Sequence, residues 1–269
     1  MLSNKQIKQI TALKFKKYRE ESGQFTAEGH KLVLDLIHSE FIIPEIYANS
    51  AWIFDNREEV EEKGIPLFEI SPYEMERISA LSNPSPVLAV VKMREPDPAA
   101  LRYQALINSP TYQLTRSLSL ALDDIRDPGN LGTIIRLADW FGINTVFCSL
   151  SSVDLYNPKV VQATMGSIAR VKVIYTELEN LLKEVSGEMP VYGALLEGEN
   201  LYNQNLTSHG LLLIGNESRG ISNRLLPFIT RKISIPFYGR MDQGKAESLN
   251  ASMAASIICA EFRRQMKIS

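Results

Sequence analysis

Three polar segments carry the residues of this chain that could do chemistry. Asp127-Pro128-Gly129-Asn130-Leu131-Gly132 leads to Arg136. Gly215-Asn216-Glu217-Ser218-Arg219-Gly220 follows Leu211–Ile214. Ser248-Leu249-Asn250 follows Ile235-Pro236 after a polar loop. Each comes after an apolar, strand-like run and sets amide, carboxylate, hydroxyl or guanidinium groups where a strand hands over to a loop or helix. In an open α/β sheet that edge is where ligands bind. Three such edges in one half of a chain point to one site. Gly129 allows a tight turn and Asn130 is placed to cap the next helix. Arg136 lies two turns along, near the face of Gly129 and Gly132. Gly215 permits close backbone approach by a ligand. Ser248 and Asn250 offer a hydroxyl and an amide at a helix N-terminus, where backbone N–H groups are unpaired. Each segment also has a plain packing explanation: a cap with a surface arginine, a surface Glu217–Arg219 pair, a helix rich in small residues.

Other chemistries find less support. His30, His38 and His209 are far apart, so no Ser-His-Asp or Cys-His arrangement emerges. There is no phosphate loop and no GxGxxG after a strand. Asp123 and Asp124 are adjacent at a strand end and point to opposite sides, with no further ligand at metal spacing, so no metal is expected. Cys148 and Cys259 stand alone in apolar surroundings, without CxxC or histidine spacing, which argues against a disulfide framework.

The elements that must position these groups are legible in the pattern. Beyond about residue 113, strands are predicted at 117–122, 145–148, 171–175, 191–194, 211–214 and 232–235. Helices are predicted at about 130–141, 157–165, 176–185, 221–226 and 247–267. Strands alternating with helices imply an α/β domain with a mostly parallel sheet covered on both faces. The first part reads as a smaller α/β unit: helix over 4–20, strand 24–27, helix 28–38, strand 42–48, a charged helix ending at 58–63, strand 67–70, a helix opened by Ser71-Pro72, and strand 87–91. Arg94-Glu95-Pro96-Asp97-Pro98 is a polar, proline-bearing connector. The expected organisation is residues 1–95, a linker over 96–112, and residues 113–269.

Length and composition bound the rest. With 269 residues, 45% of them hydrophobic, the chain can build a substantial core. No long apolar run suggests a membrane span. The start, Met-Leu-Ser-Asn-Lys-Gln-Ile-Lys, lacks the apolar core and cleavage site of a secretory signal. A reducing, cytoplasmic setting is therefore expected. Net charge is −2, so the whole chain is not a polycation, but the N-terminus is locally basic at Lys5, Lys8, Lys14, Lys16, Lys17 and Arg19. Such a run is either a solvated helix face or an arm that tracks phosphates.

Together the three segments resemble the motifs of the SpoU (TrmH) family of RNA ribose 2′-O-methyltransferases, within the SPOUT class. The first runs from Asn130-Leu131-Gly132 to Arg136, the second from Ile214-Gly215-Asn216-Glu217 to Arg219-Gly220, and the third from Ile235-Pro236 to Ser248-Leu249-Asn250. They occur in the family's order. Residues 1–95 are similar to the family's accessory substrate-binding domain, of ribosomal-protein L30e-like fold, at Phe25-Thr26-Ala27-Glu28-Gly29, Leu81-Ser82-Asn83 and Val87–Val91. The resemblance implies a deep trefoil knot in the second domain, although connections are un-knotted by default. It implies S-adenosylmethionine as cofactor, a homodimer, and no metal. It makes Arg136 the central catalytic residue, with Asn130, Glu217, Ser248 and Asn250 positioning it, the substrate and the cofactor. Leu195, Gly215, Asn216, Ile235, Ser248 and Leu249 would hold the cofactor. The loop from 237 to 247 is longer than the family's usual one, and its Arg240, with Lys14, Lys16, Lys17 and Arg19, would reach RNA. Ribosomal RNA is the expected substrate, with transfer RNA, or a catalytically silent RNA-binding or assembly role, as the alternatives.

Overall fold

The computed structural model of the protein describes residues 2–95, 117–239 and 248–266. The linker expected at 96–112 lies outside them. The described residues fall into two compact units.

In the first unit, α1 (Asn4–Ala12) opens with a capping box in which Ser3 and Gln6 satisfy each other's backbone N–H groups. The single helix predicted over 4–20 is two helices. The chain turns at Leu13–Phe15 before α2 (Lys16–Ser22), which Gly23 ends in the left-handed conformation. Strands β1 (Gln24–Glu28), β2 (Glu45–Ala48), β3 (Leu67–Glu69) and β4 (Val87–Lys92) form a sheet of order β1-β4-β2-β3. β4 is antiparallel to both of its neighbours, and β2 and β3 are parallel. Between the strands lie α3 (His30–Ile37), α4 (Ser50–Glu62) and α5 (Pro72–Ile78). Ser71 caps α5, Pro72 occupies its first turn, and Glu74 returns a bond to the Ser71 backbone. Ile7, Ile10, Tyr47, Met75, Ile78, Leu88 and Val90 make one core cluster.

Residues 154–170, which the sequence pattern assigns to the second domain, belong to this first unit. The reason is specific. Arg19 Nη2 pairs with Asp154 Oδ2 at 2.6 Å. The Phe25 and Tyr156 rings meet at 4.7 Å. Arg94 donates to the Ala169 carbonyl at 3.2 Å. Helix α7 (Pro158–Ala163) lies in this excursion and packs on β1.

The second unit is a parallel sheet of β5 (Leu118–Leu122), β6 (Thr145–Ser149), β7 (Lys172–Thr176), β8 (Val191–Asn200), β9 (Gly210–Ile214) and β10 (Arg231–Ser234), in the order β10-β8-β9-β5-β6-β7. β5, β6 and β9 are buried throughout, as parallel strands covered on both faces must be. On one face α8 (Leu178–Val185) contributes Leu178, Leu181, Leu182 and Val185, the i, i+3, i+4, i+7 stripe of an amphipathic helix, to a core with Ala121, Phe147, Leu211 and Leu213. Elsewhere α6 (Pro128–Trp140) packs against α9 (Ala251–Gln265). From β5 the chain builds outward through β6 and β7. It then crosses to β8, and β9 fills the gap between β8 and β5. Strand order therefore reverses at the β5/β9 boundary, and the crevice at their C-terminal ends is where such a sheet binds ligands.

The helix predicted over 221–226 is not formed. Ile221 and Leu225 are both buried, a spacing that imitates a helical face. Yet the Ser222 N–H is taken by the Asp123 carboxylate at 2.8 Å, and a short 3-10 turn at Leu226–Phe228 contains Pro227. Among the described residues no helix is long and apolar enough to cross a membrane.

Candidate active site

The two sheet edges are tied together before any side chain reaches outward. The Asp123 N–H donates to the Ile214 carbonyl at 2.9 Å, and Asn216 Nδ2 donates to the Asp124 carbonyl at 2.8 Å. The cap of α6 is Asp127, not Asn130 as expected. Asp127 Oδ1 accepts from the Asn130 N–H at 2.8 Å, with Pro128 in the first turn. An Asp-Pro pair just before the apolar pattern was the available signal.

Asn130 is thereby released for a different task. Its Nδ2 donates to Glu217 Oε1, and its Oδ1 accepts from Asn250 Nδ2 at 2.8 Å. Asn250 in turn caps α9, accepting from the Ser252 and Met253 N–H groups at 3.0 and 3.2 Å. Ser248 Oγ donates to the Glu217 carbonyl at 3.1 Å. Asn130, Glu217, Ser248 and Asn250, drawn from all three segments, are thus one hydrogen-bonded network at the β5/β9 edge. Arg136 stands apart from that network. It is exposed on α6, and among the described residues it has no hydrogen-bond or ion-pair partner. A guanidinium so placed presents all its N–H donors to a bound anion.

Gly215 and Asn216, also expected to hold the cofactor, shape the chain locally. A Cβ on Gly215 would lie 2.2 Å from the Gly220 carbonyl carbon, so the glycine admits its own chain. The backbone of Asn216 bridges Gly220 in both directions, and its side-chain oxygen accepts from the Ser218 and Arg219 N–H groups. Both residues build the turn that carries Glu217.

The remaining expected cofactor residues lie in β8, directly after β10 and directly before α9. Between Gly193 and Glu199 the register of β8 against β10 jumps, taking residues 194–198 out of that ladder. Leu195, in this stretch, is partly buried against the core. Ile235, directly after β10, is half-buried, and Leu249 is 43% exposed beside Ser248. Half-buried apolar side chains next to backbone groups outside the ladder suit a ligand with a flat apolar face and a polar edge. The residues present therefore fit S-adenosylmethionine.

Of the basic residues expected to meet RNA, Arg19 is corrected. It is 2% exposed, paired with Asp154, and donates to the Leu13 and Lys14 carbonyls, so it holds the first unit together. Lys14 is exposed but donates to the Ser79 carbonyl at 2.7 Å. Lys16 and Lys17 are exposed, in solvated i, i+4 pairs with Glu20 and Glu21. Arg240 lies outside the described residues. Among the described residues no group of three or more His, Cys, Asp or Glu could hold a metal ion. Both cysteines are buried, and burial pushes their thiols up, that of Cys259 to about 12.

Comparison with known proteins agrees with this geometry. Residues 117–260 match the model of the SpoU rRNA Methylase family, and residues 4–89 match that of the MRM3-like substrate binding domain. The chain is 29% identical over 262 residues to the 23S rRNA (guanosine(2553)-2′-O)-methyltransferase RlmP of Bacillus subtilis, covering 97% of this chain and 96% of that one. A putative RNA methyltransferase of the TrmH family from Porphyromonas gingivalis superposes with a TM-score of 0.81 at 34% identity, over 99% of this chain and 100% of the other. An AdoMet-bound rRNA methyltransferase from Sinorhizobium meliloti superposes with a TM-score of 0.82 at 27% identity, over 99% and 97%. The motif segments, the mostly parallel sheet and a family match spanning more than half the chain lead to one conclusion: this protein belongs to the SpoU rRNA Methylase family.

Proposed function

We propose that the protein transfers a methyl group from S-adenosylmethionine to a ribose 2′-hydroxyl of ribosomal RNA. The observation that carries this reading is the network of Asn130, Glu217, Ser248 and Asn250 at the strand-order reversal, whose Asn130 shares α6 with Arg136, a residue unpartnered among the described residues. It is supported by the similarity along nearly the whole chain to a relative named as a 23S rRNA 2′-O-methyltransferase, and by the AdoMet-bound structure of another relative.

When bound, the cofactor supplies an electrophilic methyl group on a sulfonium sulfur. Leu195, Gly215, Asn216, Ile235, Ser248 and Leu249 would hold it. The protein's own residues then supply positioning and charge. The network fixes the first turns of α6 and α9, so the groups they present keep one geometry, which is what an in-line transfer requires. A guanidinium is a poor proton acceptor. Arg136 orients a substrate phosphate and stabilises the negative charge that develops on the 2′-oxygen, while the 2′-proton passes to solvent water. No metal takes part in this reading.

The first unit serves as the RNA-binding domain, with the L30e-like character its sequence suggests, and Lys14, Lys16 and Lys17 lie on its accessible side. The deep knot belongs to the same reading, as does a cytoplasmic enzyme acting as a homodimer. In support of the dimer, Trp140 and Met253 are 85% and 58% exposed on the two packed helices α6 and α9. Ser256 and Ala260 continue the Met253 face at i+3 and i+7, and Arg136 precedes Trp140 by one turn on the other helix. A second copy seated there would lie against Arg136. The test is methyl incorporation from labelled S-adenosylmethionine into unmodified large-subunit ribosomal RNA. Incorporation is expected; its absence with every ribosomal RNA, while the cofactor binds, would overturn the assignment.

A further inference from the structure

Asp124 stands at the end of β5 with φ of 56°, in the left-handed region, where a non-glycine residue is uncommon and aspartate is among those that tolerate it. Its surroundings enforce this conformation. The Asp124 N–H donates to Ser149 Oγ at 2.8 Å, and its carbonyl accepts from Asn216 Nδ2 at 2.8 Å. Outlying backbone held this firmly is a marker of function. The side chain is 13% exposed, yet it faces two guanidinium groups. Arg126 Nε donates to Oδ1 at 2.9 Å. Arg219 Nη1 lies 3.9 Å from Oδ2. The Arg126 and Arg219 side chains are 60% and 72% exposed.

This is an unusual use of a buried carboxylate. One oxygen accepts from Arg126 Nε and the other forms a longer ion pair with Arg219, and the outer nitrogens of both arginines remain without partners among the described residues. The cluster carries a net positive charge. It brings together Arg126 from the first motif loop and Arg219 from the second, on the crevice that also holds Asn130 and Glu217. A planar guanidinium with free outer N–H groups recognises phosphate in bidentate fashion, and fixing its inner edge removes rotamer freedom before binding.

We propose that Arg126 and Arg219 form a clamp for an RNA phosphodiester, and that Asp124 is the positioning residue that aims both. The inference rests on the proposed RNA substrate and gives Arg126, Arg219 and Asp124 a role in holding it. Removing either arginine weakens RNA binding. Removing the Asp124 charge has an effect whose sign is diagnostic. A carboxylate acting only through its charge repels RNA, so neutralising it would tighten binding. A carboxylate acting by positioning loosens the clamp when neutralised.

The test is filter binding of the full-length protein to an unmodified large-subunit ribosomal RNA transcript across a salt series, with Arg126→Ala, Arg219→Ala and Asp124→Asn. Asparagine keeps the left-handed backbone, and the thermal midpoint of each variant reports on folding. Each arginine variant is expected to weaken binding and to lower the salt slope by about 1. Asp124→Asn is expected to weaken binding severalfold at an unchanged thermal midpoint. Unchanged affinity and slope in the arginine variants, tighter binding by Asp124→Asn, or no binding of the transcript by the native protein would each overturn the clamp. Clamp-dependent binding with no methyl transfer would leave the clamp standing and remove the enzymatic reading instead.

Discussion

Asn250 Nδ2 donates to Asn130 Oδ1 at 2.8 Å, joining the first turn of α9 to the first turn of α6 across 120 residues of chain. The same Asn130 side chain holds Glu217 with its other arm. One amide thus spans two motifs, and its donor and acceptor are both used. Truncating it leaves the Asn250 amide and the Glu217 carboxylate each short of a partner. Asn130→Ala should cost about 1–3 kcal/mol, the penalty for stranding part-buried polar groups. It should also lower methyl transfer through misplacement of both helices. Urea unfolding of the variant checks the first part; an unchanged midpoint would show that the network is not a structural tie.

Arg136 offers the opposite profile. It is exposed and unpartnered among the described residues, so Arg136→Ala should leave the unfolding midpoint within the range of a neutral surface change. Its loss from an alkoxide-stabilising position should lower kcat on the order of 10²–10³-fold. Binding of S-adenosylmethionine, followed by calorimetry, should stay at the native value. Retained full kcat would remove Arg136 from the chemistry.

Cys148 and Cys259 are buried, and burial raises both thiols well above the range where thiolate forms at neutral pH. A thiol reagent at pH 8 should modify neither in the native protein and both after denaturation. Rapid modification of the native protein would contradict their placement in the core.

Glu74 is held down to about 2 by the Ser71 N–H, the Leu2 N–H and the Ser71 hydroxyl. Its pKa is lower folded than unfolded, so the unfolded chain takes up the proton first. The stability it contributes is complete above its ordinary value of 4.5 and is lost as pH falls towards about 2. Glu74→Gln should therefore reduce stability at pH 7 and flatten its decline between pH 4.5 and 2. An identical acid profile in the two proteins would contradict the assignment.

The fold was legible wherever one period dominated. The short, mostly apolar runs of β5 and β9 between turn signals indicated strands of a covered parallel sheet, and the leucine spacing of α8 gave its buried face. The first two site segments were legible because each follows such a strand closely, and the third because its polar residues open a helix. What could not be read depended on partners distant in sequence. Ile221 and Leu225 share a helical spacing, but the Asp123 carboxylate captures the Ser222 N–H and a turn results. Arg19 lies in a basic run, and only its pairing with Asp154, 135 residues later, shows that it is internal. Gly215 suggested space for a ligand, yet the space is filled by Gly220 and Ile221. Asp124 looked like an idle neighbour of Asp123, because its left-handed backbone and its two arginines have no local signature.

The most direct measurement is the chemical position of the transferred methyl group. Large-subunit ribosomal RNA labelled by the pure protein and S-adenosylmethionine would be digested to nucleosides and separated. The expected result is label in a single 2′-O-methylated nucleoside, lost with Arg136→Ala. Label on a base, or no label in any ribosomal RNA despite measured cofactor binding, would contradict the assignment of the Asn130, Glu217, Ser248 and Asn250 site to ribose methylation.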